Sequence, residues 1–476
     1  MKTDAPEHVE APAVEHERPD PWDLRGGPVA LLRGVLDRPL ASYYLLLSTV
    51  TLLVLIGLVM VFSVTSVEAY VTTNSAFTQI LRQLLWAGIG LVVFWLCQRL
   101  PARTFRALAG PLMIMSFVLM IFVDFMGYVG NSKTPYGQNV SPVRLGPVYV
   151  DDLWLHIGAI QIQPAELAKL ALILWGADIL VRKGNRIVVW RELLMPLFPV
   201  AVGLFVLVGY NDLGSMICMV ILFCGLLWTA GARARIFLWF GTVALTGIVA
   251  LIVLPAHKSY RLDRLKAFFD PSIDPLAQNG RYQYLRGLWA ISNGGWFGVG
   301  LGQGHLKWGG LPNAHNDFIF AIIGEELGVV GCFMVLFLFG ALTYTGLRIA
   351  RRVEDPFRRL VAGGITIWFV GQAIVNIGGV VGLLPITGLP LPFISDGGTA
   401  LVVALAAAGM LTASARTEPD AARALHARPP SRWVRLVWAP LPPLPRSEPP
   451  GRGAARGAPS TVTRGATRTD GSGRST

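Results

Sequence analysis

Apolar residues gather in ten stretches, near 43–64, 79–97, 107–127, 165–181, 193–209, 213–230, 235–254, 317–343, 361–383 and 399–415. Their lengths suit helices crossing a hydrocarbon core of about 30 Å, which takes about 20 residues. The loops between them carry the orientation signal. Arg99, Arg103 and Arg106 follow the second stretch; Arg182, Lys183, Arg186 and Arg191 follow the fourth. Arg233 and Arg235 follow the sixth, and Arg348, Arg351, Arg352, Arg358 and Arg359 follow the eighth. These loops fall on one side, which the positive-inside rule makes cytoplasmic, and both termini join them. The pattern predicts an all-α polytopic membrane protein of about ten transmembrane helices. Both termini are then cytoplasmic, with a large extracellular loop, 255–316, between helices 7 and 8.

The first stretch reads as a signal anchor, since its leader is acidic, its apolar run is long and no small-residue cleavage site follows. Outside a membrane domain placed at 41–415, residues 1–40 are polar and rich in Pro and Glu, and are expected to be disordered. Residues 416–476 read as a disordered, basic cytoplasmic tail rich in Pro and Arg. Within it Pro440–Pro445 has a polyproline tendency. Trp433, Val434, Leu436, Val437 and Trp438 suit a short interfacial helix.

Composition agrees with a membrane protein. Of 476 residues 53% are hydrophobic and 15% charged, and mean hydropathy is +0.53; soluble domains carry about a quarter charged residues. The net charge of +12 is accounted for by arginines in short loops, so no nucleic-acid partner is expected. Cys97, Cys218, Cys224 and Cys332 all lie in apolar stretches, without metal-ligand or disulfide spacing.

Two outer loops break the charge pattern. Residues 128–164 carry Lys133 and Arg144. Residues 255–316 carry Lys258, Arg261, Arg264, Lys266, Arg281, Arg286 and Lys307 against Asp263, Asp270 and Asp274. Such a loop is either solvated near anionic headgroups or a site for an anionic, membrane-borne substrate, because clustered Arg neutralises phosphate oxygens.

Ionisable residues in apolar spans are functional candidates. Asp317 sits where the glycine-rich run from Asn293 to Gly304 and the segment Leu311–Asn316 meet the apolar run from Phe318. At roughly 100° per residue, Glu325 lies about 80° round a helix from Asp317 and Glu326 about 180°, so Glu325 is the one that could share a cavity with it. Glu166 and Lys169, spaced i, i+3 behind Pro164, either pair to complement a helix start or line a polar cavity. Asp212 reads as a helix cap. Asp124 and Asp178 read as facing neighbouring helices. His305 and His315 lack a third ligand for a metal. The Pro- and Gly-rich turn from Gly382 to Gly398 is either one wall of a site or a rigid outer turn.

Several of these runs together resemble one family. Gln163-Pro164-Ala165-Glu166, Asp212-Leu213-Gly214, Tyr260-Arg261 with Arg264, Tyr282-Gln283, Gly294 to Gly328, and Pro385 to Gly398 occur in the order of the SEDS cell-wall polymerases FtsW, RodA and SpoVE. The similarity covers 43–415 and is nearest in pattern to the actinobacterial FtsW branch. It implies a peptidoglycan glycosyltransferase that polymerises lipid II into glycan strands during cell division. By the same resemblance Asp317 is the essential acid, expected to act as general base. Lys169, Glu166, Arg261, Arg264, Gln283, Ser395 and His315 are implied substrate-binding residues. Implied partners are lipid II, a class B penicillin-binding protein acting as transpeptidase, other divisome proteins and membrane lipid. The implied location is the bacterial cell membrane at the septum, with the active site on the extracellular face. No cofactor is required, though a divalent cation (Mg or Mn) could assist. A lipid II flippase and a non-catalytic divisome scaffold are the alternatives. The chain departs from the family at Asp151-Asp152-Leu153, where Arg is usual before the tryptophan matching Trp154. It departs again at Tyr210-Asn211, where Gln-Pro is usual, and at Asp396, where Tyr or Ala is common.

Overall fold

The computed structural model of the chain describes residues 34, 36–131, 143–145, 147–151, 154–158, 160–184, 195–253, 268–269, 280–307, 311 and 314–444. Helices form at all ten apolar stretches. They are α1 Ala41–Thr73, α2 Thr78–Arg99, α3 Ala102–Asn131, α4 Pro164–Lys183, α5 Leu197–Asn211, α6 Leu213–Thr229 and α7 Ala234–Val253. After α8, Gly280–Gly294, come α9 Ile319–Arg352, α10 Pro356–Val380 and α11 Thr399–Ala415, then the short α12 Pro419–Ala427 and α13 Arg432–Val437. Without water to satisfy the main chain, a helix that closes its own hydrogen bonds is the economical way for such segments to sit in hydrocarbon. Helix starts follow local chemistry. Pro164 and Pro356 occupy first-turn positions, and Asp212 and Asp355 cap through Ser215 N at 2.9 Å and Phe357 N at 3.0 Å. The expected capping role of Asp212 is therefore observed.

Five of these helices are each long and apolar enough to cross a membrane: α1, α2, α3, α9 and α10. α11 and α12 qualify as a pair bent by 71°, while α5, α6 and α7 are shorter apolar helices. The bundle is layered around α10, most of whose apolar window is buried, whereas α2 turns Leu81, Leu85, Leu91 and Val92 outward. Small residues let neighbours close in: a Cβ at Gly409 of α11 would lie 2.5 Å from the Phe94 carbonyl of α2. At the arginine-rich end Asp178 of α4 pairs with Arg106 of α3 at 2.9 Å and with Arg182 at 2.7 Å, the neighbouring-helix role expected of it.

The helical class holds, with four features that periodicity did not indicate. A four-stranded antiparallel meander, β1 Val143–Leu145, β2 Val148–Asp151, β3 Trp154–Ile157 and β4 Ile160–Ile162, stands between α3 and α4. Its Val150 and Leu155 pack on Val123 and Met126 at the end of α3. The large loop contains α8. The eighth stretch is not one continuous helix, because the main chain breaks at Gly328. Finally, the tail expected to be disordered from 416 onward is ordered through 444. There α12 and α13 pack back on the bundle through the tryptophan and main-chain contacts described below.

Candidate active site

Gly328 divides α9 into a short segment, 319–327, and a long one, 329–352. Its φ of +68° and ψ of −164° lie outside the helical region, and glycine enters that region without a Cβ clash. The break would strand main-chain groups, and the glycine-rich run after α8 takes them. Val299 N donates to Glu325 O at 2.9 Å and Gly300 N to Glu326 O at 3.1 Å. In return Val329 N donates to Gly295 O at 2.9 Å and Val330 N to Trp296 O at 3.2 Å. The two segments interlock so closely that a Cβ at Gly298, itself at φ +80°, would sit 2.1 Å from Glu326 O. The composition of this run is thus a packing requirement, met by residues with no side chain.

Both glutamates beside the break serve the same interlock. Glu325 accepts from His305 N at 2.9 Å and Leu306 N at 3.4 Å. Glu326 is fully buried, with Lys307 Nζ at 2.8 Å and the Ser63 hydroxyl of α1 at 2.6 Å. Lys307 also donates to Ser63 O at 3.1 Å. Two sequence expectations change here. Glu325 holds loop amides, and Lys307 neutralises a buried acid in place of facing an anionic substrate.

Asp317 lies in the turn just before α9 and is buried, with 6% of its surface exposed. Neighbouring protein therefore encloses it. Its turn is fixed through the main chain. Asn376 Nδ2 of α10 donates to Asp317 O at 2.8 Å and to Leu389 O at 2.6 Å. The Ser395 hydroxyl donates to Asn316 O at 2.5 Å and accepts from Leu391 N at 2.8 Å. Asp396 N donates to His315 O at 3.0 Å. The Pro- and Gly-rich turn from 382 to 398 thus grips residues 315–317 from one side. α8 covers the other, with the Phe318 ring against Gly287 and the Tyr284 ring against Gly382. Gln283 is half-buried on α8, and the His315 ring is half-buried beside the gripped turn.

One turn along α10 from Asn376, Gln372 repeats the pattern. Its Nε2 donates to Pro390 O at 2.8 Å, and its Oε1 accepts from Lys169 Nζ at 2.9 Å and Trp368 Nε1 at 2.8 Å. Lys169 is fully buried and pairs with Glu166 Oε1 at 2.7 Å. A small open cavity is lined by Glu166, Trp368, Gln372, the run Pro390–Phe393 and Ser395. Glu166 and Lys169 are accordingly an ion pair, as one sequence reading had it; of the two only Glu166 reaches the cavity wall, with Lys169 fully buried behind it. The ladder Asp317–Asn376–Leu389–Pro390–Gln372–Lys169–Glu166 links the cavity to the aspartate's turn through α10.

Not every candidate falls at this site. Arg261 and Arg264 lie outside the described residues, as do Asp152 and Leu153. Arg286 stacks over Tyr282 at 5.0 Å and Trp289 at 5.4 Å. Among the described residues no group of three or more His, Cys, Asp or Glu side chains comes together as a metal site would require. The departures at Asn211 and Asp396 have local partners. Asn211 Nδ2 donates to Asp124 Oδ1 on α3, and Asp396 accepts from Gln79 Nε2 of α2 at 2.7 Å. Sequence reading missed Gln372, Trp368 and Ser63. The available signal was a pair of carboxamides, Gln372 and Asn376, spaced i, i+4 on one face of an apolar stretch.

Comparison with known proteins places this arrangement. The family profile described as "Cell cycle protein", FtsW/RodA/SpoVE, matches residues 43–419. The "Probable peptidoglycan glycosyltransferase FtsW" of Mycobacterium tuberculosis is 40% identical over 408 residues, covering 86% of this chain and 74% of that protein. "Stage V sporulation protein E" of Bacillus subtilis is 37% identical over 369 residues, 77% of this chain and 95% of that one. Among solved structures, one described as "Structural coordination of polymerization and crosslinking by a peptidoglycan synthase complex" is similar with a TM-score of 0.60 at 27% identity. It covers 78% of this chain and 96% of its own. Rod shape determining protein RodA of Thermus thermophilus is similar with a TM-score of 0.52 at 26% identity, over 78% and 96% of the two chains.

Proposed function

The chain belongs to the FtsW/RodA/SpoVE family of cell cycle proteins, and from that membership we propose a mechanism for it as a membrane-embedded peptidoglycan glycosyltransferase with Asp317 as general base. The donor is a disaccharide-peptide on a lipid pyrophosphate. Pyrophosphate leaves readily, so the proton that needs help is that of the acceptor sugar hydroxyl. As the Asp317 carboxylate takes it, the acceptor oxygen bonds to the donor's anomeric carbon from the face opposite the leaving group. The carbon–pyrophosphate bond breaks, its electron pair stays with the lipid pyrophosphate, and the configuration inverts. A positioned base contributes about 10²–10⁴-fold to such a step.

One observation carries the reading: the Asp317 main chain is clamped by Asn376 and by the Ser395–Asp396 turn, which fixes where its carboxylate begins. Positioning of this kind is what a base requires. Charge growing on the departing pyrophosphate is offset by Arg261 and Arg264 in this mechanism, where preorganised cations contribute strongly. Lys169, fully buried on Glu166 and Gln372, acts one step back by neutralising the cavity wall. The substrate is lipid II, taken from the outer leaflet at the septum, and a class B penicillin-binding protein is the cross-linking partner.

The test supplies the purified chain with lipid II, with and without that transpeptidase, and resolves products by size. Glycan strands support the reading. Lipid II moved across vesicles without polymer would instead favour a flippase, and neither outcome a scaffold.

A further inference from the structure

At the opposite, arginine-rich end, residues 428–444 cross the bundle as a strap. The Val437 carbonyl accepts from Trp95 Nε1 at 2.6 Å and Arg99 Nη1 at 3.0 Å, both on α2. Trp438 Nε1 donates to the Tyr43 hydroxyl of α1. The Ala439 carbonyl accepts from Arg416 Nη2 at 3.5 Å, just after α11, and Pro442 O meets His426 Nε2 at 2.8 Å. The strap is therefore pinned to three helices, mostly by its own carbonyls and by Trp438. That leaves the side chains of α13 facing away.

Those side chains are of two kinds. Trp433 is 75% exposed and Leu436 64%, with Val434 and Val437 also exposed. Interspersed are Arg428 and Arg432, both exposed, and Arg435, whose Nε is buried with no hydrogen-bond partner among the described residues. The patch continues an apolar surface already on the bundle. Along α2, Leu85, Ile89, Val92 and Leu96 face outward, and the row ends at Trp95 and Arg99, whose guanidinium lies 4.8 Å over the Trp95 ring. A soluble chain rarely leaves so much contiguous apolar surface uncovered. Indole rings favour the boundary between hydrocarbon and water, and arginines beside them are drawn to anionic headgroups.

We propose that α13 and its flanks are an interfacial anchor, lying in the headgroup layer of the leaflet at the arginine-rich end with anionic phospholipid as partner. Trp433, Leu436 and Val437 enter the acyl boundary, while Arg428, Arg432 and Arg435 meet phosphate. Continuity with the lipid-facing row of α2, together with the basic charge, selects a lipid surface over a soluble protein. The inference uses no residue of the proposed active site, so it stands or falls apart from the glycosyltransferase reading.

Hydroxyl-radical footprinting with mass spectrometry tests it on the intact chain in nanodiscs of phosphatidylglycerol or of phosphatidylcholine. Oxidation of Trp433 should be severalfold slower in the anionic discs, while Trp438, held by Tyr43, reads as an internal control for docking. In the double variant Arg432→Gln/Arg435→Gln, Trp433 in anionic discs should rise to its phosphatidylcholine level with Trp438 unchanged. Equal Trp433 oxidation in the two lipids would overturn the proposal. So would protection that survives the double substitution.

Discussion

Glu326 and Asp317 stand at either end of the short first segment of α9, one beside a buried cation and the other in a turn gripped through its main chain. Glu326 is held by charge: an ammonium at 2.8 Å and a hydroxyl at 2.6 Å satisfy it deep in the bundle. Glu166, with Lys169 at 2.7 Å and no water-facing surface to speak of, belongs to the same kind. The turn that carries Asp317 is held through its main chain. Asn376 grips the Asp317 carbonyl, and Ser395 and Asp396 grip the carbonyls of the two residues before it. The contrast separates acids the fold requires from one it positions. Where charge does the holding, removing the charge should unfold; where the main chain does, it should leave the fold standing.

The largest structural effect is expected at the charge-held end. Lys307→Met leaves Glu326 buried without its cation, a loss of about 3–5 kcal/mol. It should appear as a marked fall in melting temperature and a poor yield of monodisperse protein. Adding Glu326→Met should recover much of the fall, because the orphaned charge goes with it. A double variant no more stable than the single would show that the ion pair is not what holds the interlock.

The main-chain clamp sits next in size. Asn376→Ala removes two hydrogen bonds and strands two buried carbonyls, costing about 1–3 kcal/mol. Because the same bonds fix the Asp317 turn, polymerisation should slow in kcat more than KM rises, beyond what the melting shift explains. Unchanged kcat would disconnect the clamp from the chemistry. Smallest is Ser395→Ala, about 1 kcal/mol, with a modest kcat loss and unaltered KM. A large rise in KM would assign Ser395 to substrate contact, the role its family resemblance implied.

What could be read from sequence follows the same divide. Apolar runs of membrane length declare themselves because hydrocarbon admits few main-chain arrangements, so helices stand at each of the ten stretches. Glu166 with Lys169 was visible as a pair because i, i+3 spacing on a helix forces proximity. The Gly328 break was not visible. It depends on carbonyls of 325 and 326 meeting amides of 299 and 300, residues distant in sequence that only the fold apposes. The partners of Glu326 were hidden for the same reason, since Ser63 is 263 positions away. In the strap the short helix at 433–438 was legible and α13 stands there, while the order around it was missed because composition signals disorder. The strap's anchoring carbonyls carry no side-chain signature at all.

One sample of Asp317→Asn in nanodiscs, assayed together for melting temperature and for glycan strands made from lipid II, probes the contrast most directly. The melting temperature should match wild type. Strand synthesis should fall by about 10²–10⁴-fold, the contribution of a positioned base. Strands made at the wild-type rate, or a variant that no longer folds, would contradict the assignment of Asp317 as an acid the fold positions and the reaction uses.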